Sequence, residues 1–355
     1  MQAKLIYEWV SKHVRYVALY LAAGGVVPHD ADAVLAAGYG DCKDHVALYA
    51  ALLKARGIDS HGVLINLGDS YRLSGPPSMA QLNHIITYLP EFDLYADTTA
   101  GVAPFGTLPF LEYGKPAVMV GGDGPAEIRL GLIAADANTI TTRTDARLEA
   151  DGSISGTTKT VATGPASIML RLAARWAQAN GNEGAARRQL DALGQPGTGI
   201  FQFGPPDDID ESYTMSGRFT LDARPEYLEG DSFAPPLGLP ALPRPGDFLL
   251  GPLRRTTLPA SEPTPCFSGR DAEQIALEIP QGFEVQRLPK DRRIAQEGFV
   301  YTSHWSQEGR IVTVRRELES RIDTPLCSGA RRQAVAAAMV DIRRDHRAKI
   351  AVDAP

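Results

Sequence analysis

The chain has little cysteine, no excess of basic residues and no long apolar run. It contains three cysteines in 355 residues, and 36 Lys and Arg stand against 42 Asp and Glu, for a formal net charge of −6. This acidic balance gives no electrostatic case for binding nucleic acid or an anionic membrane surface. No apolar run approaches the length of a membrane span, and residues 1–10 lack the apolar segment of a signal peptide. The composition is that of a globular protein with two or three domains.

One of the three cysteines, Cys42, stands at the predicted start of a helix. Asp41 is the predicted N-cap and Asp44 completes a capping box. The free backbone N–H groups and the positive end of the helix dipole favour a thiolate at this position. Cys42 is therefore a candidate nucleophile, although a free cysteine is equally a common buried small hydrophobe. The apolar positions that define the helix are Val46, Tyr49, Ala50 and Leu53.

A base and its orienting carboxylate are predicted in a β-hairpin over residues 83–99. If residues 90–93 form its loop, His84 lies diagonal to Asp97 on one face, within reach of its carboxylate. A two-residue shift places the two side chains directly opposite each other, whereas a one-residue slip separates them to opposite faces. Cys42, His84 and Asp97 would then act as nucleophile, base and orienter of a catalytic triad.

Several segments together resemble the transglutaminase-like superfamily, whose core places Cys, His and Asp in this order. GDCKDH at 40–45, NHIITYLP at 83–90 and LYADTTA at 94–100 carry the resemblance. It is closest to the bacterial branch in which β-rich domains flank the core. The segments 9–16 and 24–39 resemble that branch's first helix and its lead into the cysteine loop.

The resemblance implies an α+β fold. A transglutaminase-like, papain-like core is expected at residues 1–125, followed by a β-sandwich-like domain with helical additions at 137–355. The β-rich domain that precedes the core in this branch is expected to be absent, because the first helix starts close to Met1. We find no catalytic constellation in the second domain. Its predicted elements include a hairpin around Asp151-Gly152, helices at 166–179 and 183–193, and a final helix at 330–350.

The predicted oxyanion site needs two hydrogen-bond donors. The backbone N–H of Cys42 is one, and Tyr16, Tyr20 or Asn83 is a candidate for the other. Tyr16 is preferred because superfamily members resemble one another in placing an aromatic donor upstream of the cysteine. The polar segment 69–81 is either a lid over this site or a surface excursion.

A metal site is the main alternative use of these residues. Cys42 and His45 form an i, i+3 pair, and His84, Asp97 or His61 would complete a zinc site. Structural zinc sites usually bring a second close Cys/His pair, which is missing here, so no metal is expected. His45 is expected beside the cleft or on the solvent side of the helix. No phosphate-binding loop is found, and no cofactor is expected.

The remaining cysteines, Cys266 and Cys327, flank the last group of predicted strands. They either meet in a disulfide, which would indicate an oxidising compartment such as the periplasm, or stay as two thiols in a reducing cytoplasm. The resemblance implies the periplasm or cell envelope. A cytoplasmic location is expected if the start of the chain is genuine, since it lacks a signal peptide.

The leading functional hypothesis is a cysteine-dependent acyl-transfer enzyme that acts on an amide or peptide bond. Water as acceptor makes it a peptidase or amidase, and an amine as acceptor makes it a transglutaminase. The expected partner is a peptide or protein substrate, and the oligomeric state is open. The alternatives are a catalytically inactive peptide- or envelope-binding module and an acyltransferase of the arylamine N-acetyltransferase type.

Overall fold

The protein divides into two compact units. The first comprises Met1–Leu132 with Asp207–Glu211, and the second comprises Ile133–Pro206 with Ser212–Pro355. The two domains were predicted at 1–125 and 137–355, and no sequence pattern indicated the return of 207–211 to the first unit. The computed structural model describes residues 2–18, 27–78, 81–121, 124–228, 232–250, 259 and 261–353.

The first unit combines three helices with a five-stranded antiparallel sheet of order β5-β4-β3-β6-β7. Two short strands, β1 and β2, form a separate parallel pair. Its elements are α1 (Gln2–His13), β1 (Arg15–Tyr16), α2 (Ala31–Ala37), β2 (Tyr39–Gly40), α3 (Cys42–Lys54), β3 (His61–Ile65), β4 (His84–Leu89), β5 (Leu94–Ala96), β6 (Pro116–Val120) and β7 (Ala126–Arg129).

Helix α3 begins with the predicted capping box. The Asp41 carboxylate accepts hydrogen bonds from the backbone N–H groups of Lys43 (3.1 Å) and Asp44 (3.4 Å), and the Asp44 carboxylate accepts from the Asp41 N–H (3.2 Å). The helix packs its apolar face into a core shared with α1. That core includes Tyr7, Val10, Leu48, Tyr49 and Leu53. Local capping and distant packing together fix the first residue of α3 in space.

The β4–β5 hairpin has the predicted register. Leu89 pairs with Leu94 across a loop of residues 90–93, in which Asp93 takes a left-handed backbone conformation (φ 47°). Asp adopts this left-handed region more readily than most residues, so it suits this position of the tight turn. Asp97 follows directly after β5, so it lies at the sheet end where β4 begins.

A buried lysine anchors the start of segment 69–81, which was predicted to be either a lid or a surface excursion. Lys115 is fully buried and its ammonium donates to the carbonyl oxygens of Gly68 and Ser70, the latter at 2.9 Å. The same ammonium lies 3.8 Å from the centre of the Tyr71 ring, a cation–π contact. The start of this segment is thus held against the sheet.

The second unit is built on one eight-stranded sheet of order β10-β11-β9-β8-β14-β18-β17-β16. Its neighbours are antiparallel except for the parallel pair β8–β14. The elements of the unit are β8 (Thr139–Leu148), β9 (Ile154–Thr163), α4 (Pro165–Asn180), α5 (Asn182–Ala192), β10 (Gly197–Phe203), β11 (Ser212–Leu221), β12 (Ser232–Phe233), β13 (Thr264–Pro265), β14 (Gly269–Glu278), β15 (Glu284–Arg287), β16 (Arg292–Gln296), β17 (Phe299–Glu308), β18 (Ile311–Ser320), β19 (Leu326–Cys327), α6 (Gly329–His346) and β20 (Ile350–Asp353).

Helices and strands are mixed along the chain, which confirms the α+β class. The β-sandwich is not confirmed, because the long strands described in the second unit share one sheet instead of forming two facing ones. Helices α4 and α5 pack against β9, β10 and β11. The hairpin around Asp151-Gly152 is confirmed as β8–β9. The final helix ends earlier than predicted, at His346, and Ile350 starts a strand.

Cys266 and Cys327 form a disulfide, with their Cα atoms 5.8 Å apart. Cys42 is therefore the free cysteine of the chain. Across the described residues, we find no helix with both the length and the apolarity needed to span a membrane.

Candidate active site

Cys42 lies where α3 meets a cavity. It is the first residue of the helix and is half-buried. The cavity has a volume of about 540 Å³, and His84 and the first residues of α3 line it together with Cys42. A thiol at this position is therefore reachable by a ligand and also sheltered from bulk water.

His84 connects Cys42 to Asp97. The imidazole Nε2 lies 3.1 Å from the Asp97 Oδ2, and both side chains are buried. This leaves Nδ1 as the ring nitrogen available to the thiol. Burial alone would lower the pKa of His84. The charge of Asp97 and the hydrogen bonds of the imidazole to Asp97 and Cys42 outweigh burial, and the pKa is raised well above its ordinary value.

Asp97 is fixed by bonds on both sides of its carboxylate. The Oδ1 accepts hydrogen bonds from the Thr99 backbone N–H (2.8 Å) and hydroxyl (2.6 Å), while the Tyr7 hydroxyl donates to the Asp97 backbone carbonyl (3.1 Å). Burial raises the pKa of Asp97, but the facing His84 and these hydrogen bonds lower it to about 2. Asp97 is thus a carboxylate at neutral pH, and it is held in one orientation.

Glu112 lies beside the candidate triad, although no sequence pattern predicted it as a site residue. Its side chain is fully buried and hydrogen-bonded to that of Asp97. Burial first, and then the negative charge of Asp97, raise the pKa of Glu112 well above its ordinary value, which favours the protonated carboxyl beside Asp97. Glu112 ends a single 3₁₀ turn, Phe110–Glu112, in a stretch without periodicity. No local pattern distinguishes it from a surface acid.

Three of these side chains could also offer ligands to a metal ion. One nitrogen or oxygen atom from each of His84, Asp97 and Glu112 lies within 4.8 Å of the others, the one such group among the described residues. The candidate ligands Cys42, His45 and His61 do not join it. The atoms in this group already hydrogen-bond to one another, which explains their proximity without an ion.

His45 is fully buried, so the alternative that placed it on the solvent side of α3 is wrong. Neither ring nitrogen has a hydrogen-bond partner among the residues described. Burial lowers the pKa of His45 against the opposing pull of nearby carboxylates, chiefly Asp97. The imidazole is therefore neutral and adds no second positive charge beside His84.

The predicted oxyanion donors are placed as follows. Tyr16 and Asn83 both line the cavity beside Cys42. The Asn83 Oδ1 accepts a hydrogen bond from the Leu67 N–H (2.9 Å), so its amide nitrogen remains a donor. Tyr20 lies outside the described residues. The role of these donors stays a prediction.

A helix that starts with cysteine packs beside an antiparallel sheet that carries a histidine, and an aspartate follows the next strand, within an α+β fold. Residues 1–76 match the family model of the transglutaminase-like superfamily, which confirms the recognition for this part of the chain. The match includes Cys42 but ends before His84 and Asp97. The grouping of those two residues with Cys42 therefore depends on the geometry above.

A solved structure of a candidate protease from Parabacteroides distasonis resembles this chain with a TM-score of 0.56 and 13% sequence identity. The similarity covers 99% of this chain and 51% of that one, so this chain spans about half the length of its structural relative. At this identity the likeness establishes the fold alone. A search of curated proteins found no significant match.

Proposed function

We propose that the protein is a cysteine-dependent acyl-transfer enzyme that acts on an amide or peptide bond, with Cys42 as nucleophile, His84 as acid–base group and Asp97 as orienter. The observation that carries this proposal is that a free, half-buried thiol, a buried imidazole and a buried carboxylate meet beside one cavity. A structural cysteine has no need of a histidine whose other nitrogen is held by an aspartate.

The charges of the site favour a thiolate–imidazolium pair. The raised pKa of His84 favours the protonated imidazole, and the Asp97 carboxylate stabilises that positive charge. Cys42 stands at the positive end of α3, where an anion is stabilised by the helix dipole. Each member of the set thus supports the reactive form of the next.

In the proposed reaction, the Cys42 sulfur bonds to the carbonyl carbon of the substrate. The C–N bond then breaks as the His84 imidazolium gives its Nδ1 proton to the departing nitrogen, which leaves a thioester on Cys42. In the second half, neutral His84 takes a proton from water or from an amine, and that acceptor displaces the sulfur. Water yields a carboxylic acid, and an amine yields a new amide.

The capping box of α3 leaves one suitable oxyanion donor. The N–H groups of Asp41, Lys43 and Asp44 are all engaged within the box, whereas the N–H of Cys42 has no protein acceptor among the described residues. This N–H belongs to the residue that carries the attacking sulfur, in the first turn of α3. The Asn83 amide at the cavity wall is the second donor that we favour, alongside the earlier candidate Tyr16.

We assign Glu112 as a positioning residue. Its protonated carboxyl donates to Asp97 and helps to hold that carboxylate toward His84. It touches none of the reacting atoms in the proposed reaction and acts through Asp97.

The Cys266–Cys327 bond favours an oxidising compartment, such as the periplasm, because disulfides are rare in reducing cytoplasm. Mass spectrometry of the protein isolated from its own cells under non-reducing conditions tests this. Two free thiols at these positions would contradict it.

The proposed triad is tested by the pH dependence of Cys42 alkylation. Because the other two cysteines are bonded, iodoacetamide reports on Cys42 alone in intact-mass spectrometry. We expect labelling already at about pH 6, with His84→Ala slower by about 10-fold there and similar to the parent above about pH 9. His13→Ala, which changes an exposed histidine of α1, is the control. Identical profiles for the parent and His84→Ala would favour the inactive binding module instead.

A further inference from the structure

The cavity beside Cys42 has an apolar wall built from several elements of the first unit. Strand pairing sets Gly62 of β3 beside Val120 of β6, and Leu64 beside Ile85 of β4. Directly paired residues point to the same side of a sheet, so these positions share one face. The apolar lining consists of Pro28, Val46, Ala47, Gly62, Leu64, Leu82, Ile85 and Val120.

Gly62 gives this wall its shape. It lies inside a strand, where glycine weakens pairing and often marks a close approach of neighbouring groups. A Cβ at this position would lie 3.0 Å from the Ile85 Cδ1 and 3.0 Å from the Val120 Cγ2. Those two side chains therefore close over the glycine, and a Cβ at this position would require them to shift by a few tenths of an ångström.

The charges at the rim of the cavity compensate each other. Lys43 is ion-paired with Asp41, and both groups are largely buried. Apart from this pair, His84 and Cys42, the residues that line the cavity carry no ionisable group that is charged at neutral pH. A charged group that entered the apolar part would lose its water without gaining a partner, which is strongly unfavourable. An apolar group would replace water against an apolar wall, which is favourable.

We infer that this cavity binds a large apolar side chain, aliphatic or aromatic, of the acyl donor, next to the carbonyl that Cys42 attacks. The inference rests on the proposed function. Val46 stands one helical turn from Cys42, so the wall begins where the attacked carbonyl would lie. A volume of about 540 Å³ is within the roughly 300–1,000 Å³ of small-molecule sites and exceeds the need of one small side chain.

A matched series of dipeptidyl vinyl sulfones tests the inference. The reagents share one backbone and carry Ala, Leu, Phe, Asp or Lys at the first or the second position from the electrophile. The modification rate of Cys42 is divided by the iodoacetamide rate of the same protein. We expect Leu or Phe to exceed Ala by about 10- to 100-fold at one of the two positions, with Asp and Lys slower than Ala.

Two cavity variants show where that preference comes from. Ala47→Phe fills the cavity from α3 and should bring Leu, Phe and Ala to near parity. Ala51→Phe, the same change one turn later at an exposed position of the same helix, should keep the preference. If Ala47→Phe does not fold, Leu64→Ala serves instead: it enlarges the cavity and should shift the optimum toward Phe.

The outcomes separate the inference from the proposed function. If iodoacetamide labelling depends on His84 but the series shows no apolar preference, the inference is wrong and the triad stands. The inference is also overturned if Ala47→Phe keeps the full preference. If labelling does not depend on His84, the proposed function fails and the inference fails with it.

Discussion

Both units bury charged side chains, yet the two groups are built differently. In the first unit, Glu112, Asp97 and His84 form a chain of hydrogen bonds that ends at Cys42 on the wall of a cavity. In the proposed mechanism this row of hydrogen bonds has a direction, because each group orients or charges the next. Its last two members, an imidazole nitrogen and a thiol, face a space that a ligand can occupy.

In the second unit, one buried cluster consists of acids and an arginine that neutralise one another. Arg316 bridges Glu273 (2.7 Å) and Asp345 (3.2 Å), and the hydroxyls of Tyr301 (2.7 Å) and Ser303 (2.9 Å) donate to Asp345. Burial raises the pKa of Glu273, but the neighbouring arginines lower it to about 2. These contacts join strands of the large sheet to α6, and the network contains no nucleophile.

The difference shows how burial of charge can serve two purposes. Where each charged group meets its opposite, removing a member leaves an uncompensated charge and harms stability. Where a row of buried groups ends in a thiol beside a cavity, we propose that the same burial serves reactivity instead.

The same substitution in the two units should separate activity from stability. Asp97→Asn removes the charge that supports the His84 imidazolium, so hydrolysis of a leucine peptide p-nitroanilide should slow by about 10⁴-fold. Asp345→Asn should leave the rate per folded molecule unchanged and lower stability. Release of p-nitroaniline and urea unfolding measure the two effects. Equal loss of rate in both variants would break the contrast.

Removing the central cation of the second unit should be costly. Arg316→Met leaves Glu273 and Asp345 buried without their shared partner, and we expect the free energy of unfolding to fall by about 3–5 kcal/mol. The adjacent Arg315 is exposed, and Arg315→Met should change stability by less than about 0.5 kcal/mol. Urea titration of both variants measures this. A similar loss in the two would show that the network does not stabilise the unit.

We expect the disulfide to contribute to the stability of the fold and not to the reactivity of Cys42. Cys266 and Cys327 are separated by 61 positions, and closing a loop of that length is worth about 4 kcal/mol in the chain-entropy model. The double variant Cys266→Ser/Cys327→Ser should therefore unfold at lower urea while iodoacetamide labelling of Cys42 keeps its pH profile. A changed profile would show that the bond also shapes the site.

Of the effects on the free energy of unfolding, we expect that of Glu112 to be the smallest. Its dependence on pH has a defined direction. A native pKa raised above the ordinary 4.5 means that the native state keeps a proton which the unfolded chain has released. The stability contributed by this group is therefore full below about pH 4.5 and is lost as pH rises toward the native pKa. Glu112→Gln does not titrate, so its stability relative to the parent should increase from pH 4.5 to neutral. Urea unfolding across this range measures it.

The positioning role of Glu112 has a separate readout. Glu112→Ala should shift the pH profile of Cys42 labelling, because Asp97 loses a donor, and Glu112→Gln should restore the profile, because an amide N–H can donate in its place. The exposed Glu91→Gln is the control. An unchanged profile in Glu112→Ala would limit this residue to packing.

Local patterns were sufficient for the parts of the site that neighbouring residues determine. The capping box around Asp41 and Asp44 placed Cys42 at the start of a helix, because a cap needs only residues three apart. The length of the four-residue loop predicted the register of the hairpin. Because side chains alternate between the two faces of a strand, that register also predicted the contact between His84 and Asp97.

The same local patterns did not predict how strands that are distant in the sequence pair with one another. The strand β10 was missed because Gly197–Phe203 contains two glycines and no alternation of apolar residues. A β-sandwich was expected because the strands alternate apolar and polar residues, which predicts half-buried strands. The same alternation does not determine whether these strands belong to one sheet or to two. The parallel pairing of β8 with β14 joins residues about 130 positions apart, and it extends one sheet where two were expected.

The sequence by itself determined that a cysteine begins a helix and that a histidine and an aspartate follow in a hairpin, since both depend on contacts between near neighbours. Only the tertiary structure decided that a buried Glu112 lies in hydrogen-bonding contact with Asp97, that His45 is buried, and that a cavity with an apolar wall opens beside the sulfur. Burial and the shape of a cavity arise from residues distant in the chain, and no local pattern encodes them.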